Sequence, residues 1–393
     1  MQKDTRYFLW NTAALLLSYM AVAMPLPAIS VFVTKSLGFS NSLSGLAVGI
    51  AFLTTILTRG PSGRFSDRKG GKACMTRGLL LYAAASLICA AATLTASPIL
   101  AFSLLITGRL VLGLGESMAL VGMLSWNISL LGPQRSGVVF SLVGASLYGA
   151  FAVGGPLGLL CMERLGFTGL MLLCSPLPLL GWVMISRMPV IIPKSTKLNV
   201  SFFRIIGTIW RQGVIVGFQG VGFAALGAFI SLYFASRGWQ HAGLALTFFG
   251  LGFVLVRLLF GNFPNKFGGI PVTIVSLVVA ACGQMLLWQA FSAEVAMVGA
   301  FLTGTGCSLV YPSMGVEVIR KVQPELRGTA VGGFAIFQDM AYGATAPIAG
   351  LFADHFGYSV VFMLGFIAAL LGLLVAITTA MQRTTLGDPG KIG

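Results

Sequence analysis

The chain has 393 residues, of which 56% are hydrophobic and only 9% are charged. A soluble domain carries charge on about 25% of its residues. Most of this surface is therefore expected to face lipid rather than water. The composition argues against a soluble enzyme and predicts an integral membrane protein.

Apolar stretches recur along the whole chain, and each can cross a hydrocarbon core about 30 Å thick. Because they are continuous rather than alternating, they predict helices and not barrel strands. The predicted fold class is an all-α membrane protein with twelve spans. The spans are expected near 7–33, 42–60, 73–94, 98–124, 136–160, 167–187, 213–235, 242–262, 271–291, 295–318, 328–352 and 357–380. The first is too long for a cleavable signal peptide and is interpreted as a membrane helix.

The net charge of +15 could indicate a nucleic-acid partner, but its distribution argues against one. With the N-terminus inside, Lys35, Arg164 and Arg237 fall outside, while Arg109 and Arg257 lie within or near spans. The remaining cations fall on the cytoplasmic side, as the positive-inside rule requires. This pattern predicts a multi-pass protein of the bacterial inner membrane with both termini cytoplasmic. Contact with anionic lipid follows from it.

The potential metal ligands and nucleophiles are scattered. Six cysteines lie in or beside apolar spans without a CxxC pair, and they are interpreted as small buried side chains. His241 and His355 stand alone in short predicted loops. With no metal-ligand spacing, phosphate loop or nucleophile–base set, the sequence predicts no metal, no cofactor and no enzyme.

The first and second halves of the sequence match each other. With an offset of 198 residues, Gly45-Leu46-Ala47 aligns with Gly243-Leu244-Ala245, and Arg59 aligns with Arg257. With an offset of 191, the matched pairs are Gly113 with Gly304, Gly115 with Gly306, Pro156 with Pro347 and Glu163 with Asp354. Matches in this order indicate a duplication. Two parallel halves of six helices each predict a carrier whose site lies between them.

The longest polar interruption divides the chain. The predicted domains are an N-terminal half, 1–187, a cytoplasmic linker, 188–212, and a C-terminal half, 213–393. The protein is expected to be a monomer in the bilayer that binds a small-molecule substrate.

One loop carries a recognisable motif between spans two and three. Its positions are Gly63, Asp67, Arg68, Gly70 and Lys72. The segment resembles the signature loop of the major facilitator superfamily. The resemblance to this family extends over nearly the whole chain. In that family the loop latches the two halves in the outward-open state. The alternative is a basic loop that only sets topology. The second copy carries Asn265 where the acid would stand.

Span four contains Arg109 and Glu116, and resembles the family's fourth-helix motif of an arginine followed by glycines. An arginine within the membrane costs at least about 2.5 kcal/mol and usually faces a wet cavity. Seven residues return to nearly the same helix face about 10 Å further along, so the two side chains share a stripe without touching. They are predicted either to bind protons or substrate, or to form fixed charge pairs with other residues.

Span five contains Gly149, Gly154, Gly155, Pro156 and Gly158, a run that resembles the Gly-Pro motif of the family's antiporters. The resemblance implies antiport, although close helix packing alone would also require small residues.

Asp339 lies in the middle of span eleven. A carboxyl group there either binds a proton or pairs with a cation, so Asp339 joins Glu116 as a candidate for proton coupling. The alternative is a static hydrogen-bond anchor. Arg59 and Arg257 lie at the inner ends of spans two and eight. They are predicted either to extend to the cytoplasmic interface or to line a gate.

By family convention, spans one, four, seven and ten surround the central cavity. The residues expected there, together with Gln338, are Asn11, Tyr19, Arg109, Gln219, Phe229, Tyr233 and Tyr311. The predicted pocket has aromatic walls, a few polar groups and one cation.

Phrases such as Leu57-Thr58-Arg59-Gly60 resemble the YfcJ/YhhS branch of the family, which is similar to efflux carriers of drugs, sugars and opine metallophores. The resemblance implies export of a small amphiphilic or zwitterionic solute, driven by the proton gradient. Two alternatives stay open. One is uptake by proton symport or facilitated diffusion, and the other is a membrane receptor that transports nothing.

Overall fold

The computed structural model describes residues 2–132, 135–190, 202–323 and 326–385. The first half contains seven helices and two short helical turns. They are α1 (Gln2–Ala23), α2 (Pro25–Val31), a π-helical turn (Phe32–Ser36), α3 (Asn41–Lys69), α4 (Gly71–Ala91), a 3-10 turn (Ala92–Leu94), α5 (Pro98–Leu131), α6 (Ser136–Cys174) and α7 (Pro176–Ser186). The second half contains α8 (Phe202–Ser236), α9 (Ala242–Phe260), α10 (Phe263–Phe267), α11 (Gly269–Trp288), α12 (Ala293–Lys321), α13 (Arg327–Phe356) and α14 (Ser359–Thr385).

The described helices account for twelve crossings. Within the described ranges, ten stretches are long and apolar enough to span a membrane. One of them, Leu142–Ser186, has 45 residues. It would measure about 68 Å as a straight helix, but it turns at Gly166, where φ is 68° and ψ is −177°, and so crosses twice. The twelfth crossing is α13, which is not among the ten apolar stretches because its 30 residues include polar side chains such as Asp339. The twelve-helix prediction is confirmed.

The duplication is visible in the backbone. Gly70 and Gly268, which are 198 residues apart, have similar positive φ angles of 85° and 89°. Gly166 and Gly357, which are 191 residues apart, also share a positive φ, of 68° and 82°. Such angles strain any residue with a Cβ atom. The same reversals are therefore built at the same places in both halves.

An even number of crossings brings both chain ends to one side of the molecule, called here the terminal face. The opposite side is the far face. α3 begins at the far face and runs towards the terminal face, and α13 runs the other way. The predicted linker 188–212 stays a prediction, because residues 191–201 lie outside the described residues.

The two halves meet along three helix pairs, α3 with α13, α6 with α9, and α2 with α8. Glycines allow the backbones to approach. A Cβ atom at Gly45 would overlap the backbone of Ala346, and one at Gly250 would overlap Ala152. The first contact lies in the far half of the molecule, and the second lies near the middle of α9. This packing closes the interface on the far side and aligns side chains of both halves at its centre.

Candidate functional site

An ion pair joins the two halves near the middle of the molecule. Arg59 of α3 places Nε and Nη2 each 2.6 Å from Oδ2 of Asp339 on α13. The two side chains are only 14% and 10% exposed. Charge-assisted hydrogen bonds of this length are among the strongest in proteins. The roles predicted for Arg59 and Asp339 did not specify their partners. The structure shows that the two residues pair with each other.

Glu116 lies in the same charged centre but belongs to the first half. Its Oε1 accepts a hydrogen bond of 2.9 Å from the hydroxyl of Tyr19 on α1. The carboxyl group is 5% exposed and interacts electrostatically with Asp339 and Arg59. Two buried acids, one from each half, therefore share one electrostatic environment. A proton gained by either acid changes the energy of the other.

Arg109 binds inside the first half. Nε donates to the carbonyl oxygen of Ala47 at 3.0 Å, and Nη2 donates to that of Val48 at 2.9 Å. Both carbonyl groups belong to α3, and the arginine is 3% exposed. Two backbone acceptors thus fix the guanidinium between α5 and α3. As the helical spacing predicted, no hydrogen bond between Arg109 and Glu116 is described.

A pair of tyrosines forms a second bridge between the halves. The hydroxyl groups of Tyr148 on α6 and Tyr342 on α13 are 2.7 Å apart. Gln338 donates a weak hydrogen bond of 3.5 Å to Tyr148, whose ring stacks on Phe253 of α9 at 3.8 Å. Neither tyrosine stands out in the sequence, because only the folded chain brings α6, α9 and α13 together.

The other predicted cavity residues are dispersed. Asn11 donates to Asn127 at 2.9 Å within the first half. Tyr233 donates to the carbonyl oxygen of Leu287 at 3.0 Å in the second half. Phe229 belongs to the buried core near the far face. Tyr311 lies within electrostatic reach of Arg59 and Asp339. Gln219 is 3% exposed, and its amide has no nitrogen or oxygen partner and meets only the thiol of Cys307.

Residues that could hold a metal ion do not cluster. No group of three or more histidine, cysteine or acidic side chains with that potential occurs in the described ranges. The site is a set of charged, phenolic and aromatic groups between two helical bundles.

Comparison with known proteins identifies the family. A model described as "Major Facilitator Superfamily" matches residues 12–242 and 240–390. The chain belongs to the major facilitator superfamily. It is 43% identical over 366 residues to an uncharacterized MFS-type transporter of Salmonella typhimurium, covering 93% of this chain and 94% of that protein. It is 34% identical over 373 residues to one of Burkholderia pseudomallei, covering 95% and 91%.

Solved structures show the same facilitator fold. The human organic anion transporter MFSD10 aligns with a TM-score of 0.69 and 17% identity, over 95% of this chain and 99% of that one. A mutant of the nucleoside transporter NupG aligns with a TM-score of 0.74 and 13% identity, over the same shares. These similarities extend across both halves. The protein is a membrane transporter and not an enzyme.

The facilitator signature loop is mostly helical here. α3 continues through Gly63 to Lys69, and a Cβ atom at Gly63 would meet nothing within 4 Å. The reversal is confined to Gly70, whose φ is 85°. Lys72 donates hydrogen bonds of 2.6 Å to the carbonyl groups of Ser186 and Met188 at the end of α7. This lysine therefore binds within its own half.

The latch acid has no described partner across the interface. Asp67 and Arg68 are exposed, and within the part of the chain that the structure describes no ion pair joins them to the second half. The far face, in contrast, is closed.

A clasp closes the far face. Asp354, near the end of α13, accepts hydrogen bonds from the backbone amides of Asn41 and Ser42 at 2.8 and 3.0 Å. It also accepts from their side chains at 2.8 and 2.5 Å. Tyr358 donates to Asn41 Oδ1 at 2.8 Å. A carboxylate thus caps the first turn of α3 from the other half, where the helix dipole favours negative charge. The sequence analysis noted Asp354 only as the counterpart of Glu163.

The predicted antiporter motif contacts both halves. Cβ atoms at Gly154 and Gly158 would press on the Met24 region between α1 and α2. One at Gly155 would lie 2.8 Å from Leu246 of α9, and Pro156 packs against Gly243. Gly149 is looser, since its Cβ would be 3.7 Å from Leu16. The small residues allow α6 to fit between α1 and α9.

Proposed function

We propose that this protein exports a small amphiphilic or zwitterionic solute across the bacterial inner membrane by proton antiport and alternating access. The observation that carries the proposal is the Arg59–Asp339 ion pair. It links the halves at the level of Glu116, so protonation and rocking act on the same contacts. The proposal includes cytoplasmic termini, a monomeric protein and no cofactor beyond the proton gradient.

Proton binding at Asp339 would neutralise the partner of Arg59 and loosen the bridge between α3 and α13. Glu116 lies within electrostatic reach of the pair and would exchange its proton with a different energy in each state. A ligand or proton shifts a two-state equilibrium only by its differential affinity for the two states. Two acids that interact across the halves provide such a difference.

The proton gradient supplies enough energy to drive export. A membrane potential of 100 mV contributes about 2.3 kcal/mol for each charge that crosses. One proton entering per cycle can therefore drive a solute outwards against a gradient. The Gly-Pro resemblance in α6 favours exchange over symport. Uptake by symport remains the competing function, and substrate accumulation in whole cells, compared with a deletion strain, discriminates between the two.

Proton antiport is tested in everted membrane vesicles. A pH-sensitive dye reports dissipation of the gradient as sugars, amphiphilic drugs, amino-acid-like metallophores and phosphonates are added in turn. We expect the active solute to dissipate the gradient with the native protein, and we expect the Glu116→Gln/Asp339→Asn double variant to abolish this response. Glu163→Gln, which removes an exposed acid, is the matched control. Coupled transport that survives in the double variant would overturn the proposal.

A further inference from the structure

Arg257 of α9 is a buried cation with no acidic partner among the residues that the structure describes. The residue is 9% exposed, and its Nε has no hydrogen-bond acceptor. No ion pair involving it occurs among the described residues. Its guanidinium lies 5.2 Å from the ring centre of Phe253, and Nη2 lies 3.9 Å from the position of a Cβ atom at Gly144 on α6. The positive charge therefore faces the interface between the two halves.

The duplication explains why this charge is unpaired. Arg59 is the counterpart of Arg257 at the offset of 198 residues, and Asp339 neutralises it at 2.6 Å. At the offset of 191, the counterpart of Asp339 is Tyr148. A phenol does not balance a guanidinium at neutral pH. The chain thus keeps the arginine in both halves and supplies its acid in only one.

An unpaired buried charge is costly, so its retention at the centre of a transporter points to a partner that comes from solution. The guanidinium presents a planar set of donors that matches a carboxylate with two parallel hydrogen bonds. The guanidinium carbon lies over the Phe253 ring, and Nε has no hydrogen-bond acceptor. An anion can therefore supply the missing acceptor.

The surroundings of Arg257 fit an apolar ring. Tyr148 stacks on Phe253 at 3.8 Å and meets Phe223 edge-on at 5.5 Å. Gln219 precedes Phe223 by one helical turn and so lies on the same face of α8. Its buried amide has no nitrogen or oxygen partner and meets only the thiol of Cys307, a weak hydrogen-bonding group. A cation, an aromatic platform and an amide whose neighbour is a weakly bonding thiol therefore lie together between the halves.

We propose that Arg257 binds the carboxylate of the transported solute, and that the substrate is a small monoanion with an aromatic or similarly flat apolar body. The proposal rests on the proposed function, because it names the substrate class of the same transport site. The Tyr148–Phe253 surface receives the apolar body, and the Gln219 amide binds a polar substituent.

The test is equilibrium binding to the purified full-length protein in micelles. Benzoate, benzyl alcohol and benzylamine present the same ring with a negative, neutral and positive group. Thermal unfolding is followed at increasing concentrations of each probe at pH 7, because a ligand that binds the folded state raises the midpoint. We expect benzoate to stabilise the native protein more than its two analogues do.

Arg257→Gln should weaken apparent benzoate affinity by about tenfold or more, the size expected for a lost charge-assisted hydrogen bond. Arg257→Lys should retain part of the benzoate preference. Arg237→Gln removes the same charge from an exposed position near the far face and should behave as the native protein does. Since the three probes are compared within each variant, a lower baseline stability does not affect the result.

Equal responses to benzoate and benzylamine in the native protein would overturn the proposal, as would an unchanged benzoate preference in Arg257→Gln. The measurement uses no pH gradient. A benzoate site that depends on Arg257, found together with transport independent of the proton gradient, would refute antiport and leave the anion site standing. Transport driven by the proton gradient, found without Arg257-dependent benzoate binding, would refute the anion site and leave antiport standing.

Discussion

Arg59 and Arg257 occupy equivalent positions in the two duplicated halves, and their partners differ. Arg59 contacts Asp339 across the interface at 2.6 Å. Arg257 lies near Tyr148, the counterpart of that aspartate, and remains without an acid. The α3–α13 side of the interface is thus joined by opposite charges, while the α6–α9 side is joined by stacked rings. Separating the two sides breaks different kinds of contact.

At the far face, too, only one of two equivalent residues contacts the other half. Asp354 accepts four hydrogen bonds from Asn41 and Ser42 at the start of α3. Its counterpart Glu163 is exposed. Duplication therefore preserved the backbone and its reversals, whereas the acids that connect the halves are concentrated in the second copy. The α3–α13 contact is the side where charge controls opening.

The largest effect is expected from removing the acid that distinguishes Arg59 from Arg257. Asp339→Asn would leave Arg59 buried and unpaired, as Arg257 is, and should lower the free energy of unfolding by about 3 kcal/mol. Arg59→Gln should cost a similar amount. The double variant should lose much less than the sum, because neither charge then remains uncompensated. Unfolding by SDS, followed by circular dichroism, measures each value.

Glu163→Gln serves as the control, since it neutralises an exposed acid that has no described partner in the other half. If the losses for Arg59→Gln and Asp339→Asn simply add, the two residues do not stabilise the interface as a pair. The contrast with Arg257 would then have no energetic basis.

Much of this contrast was readable from the sequence. The offset of 198 residues identified Arg59 and Arg257 as equivalents, and hydropathy identified Asp339 as a buried acid. The motif placed Gly70 in the loop between spans two and three, where the chain reverses with a φ of 85° that only glycine accepts without strain. Helical periodicity placed Arg109 and Glu116 on one stripe. These features are local or repeat along the chain, so one sequence reveals them.

The partners could not be read in this way. Arg59 and Asp339 are separated by 280 positions, and their contact depends on how two bundles pack. Arg109 could have faced a wet cavity, yet it binds two carbonyl groups of α3. No residue pattern specifies which backbone acceptors a long side chain will reach. The capping of α3 by Asp354 has the same cause, since it joins elements at opposite ends of the chain.

A third difference between the halves lies at the terminal face. Glu317 of α12 accepts a hydrogen bond of 3.1 Å from the backbone amide of Gly269 at the start of α11. The counterpart of Glu317 is Trp126, which packs against Gly71. Glu317→Gln should lower the free energy of unfolding by about 1–2 kcal/mol, because a buried charge near a helix N-terminus is lost. SDS unfolding measures the loss, and one no larger than that of Glu163→Gln would show that the second half gains nothing from this acid.

The smallest expected effect concerns the clasp, and it separates conformation from stability. Asp354→Asn removes the negative charge and part of the four hydrogen bonds that cap α3. Because Asp354 is exposed, solvent screens the interaction and the folded protein should remain stable. The far face should nevertheless open more often, with the open population rising on the order of threefold to tenfold. Spin labels at Ala96 and Gln240, which are exposed near the far face on opposite halves, report the opening as a longer distance in pulsed electron resonance.

Glu163→Gln is the matched comparison for the clasp, because it removes the equivalent acid from the other half. We expect its distance distribution to overlay that of the native protein, since Glu163 has no described contact with the start of α9. Raising the salt concentration should widen the native distribution towards that of Asp354→Asn, as screening weakens an exposed charge at a helix terminus. Equal opening in the two variants would mean that Asp354 holds the far face no more firmly than its counterpart does. The closure would then depend on the close packing of α3 and α13 at Gly45 and not on charge.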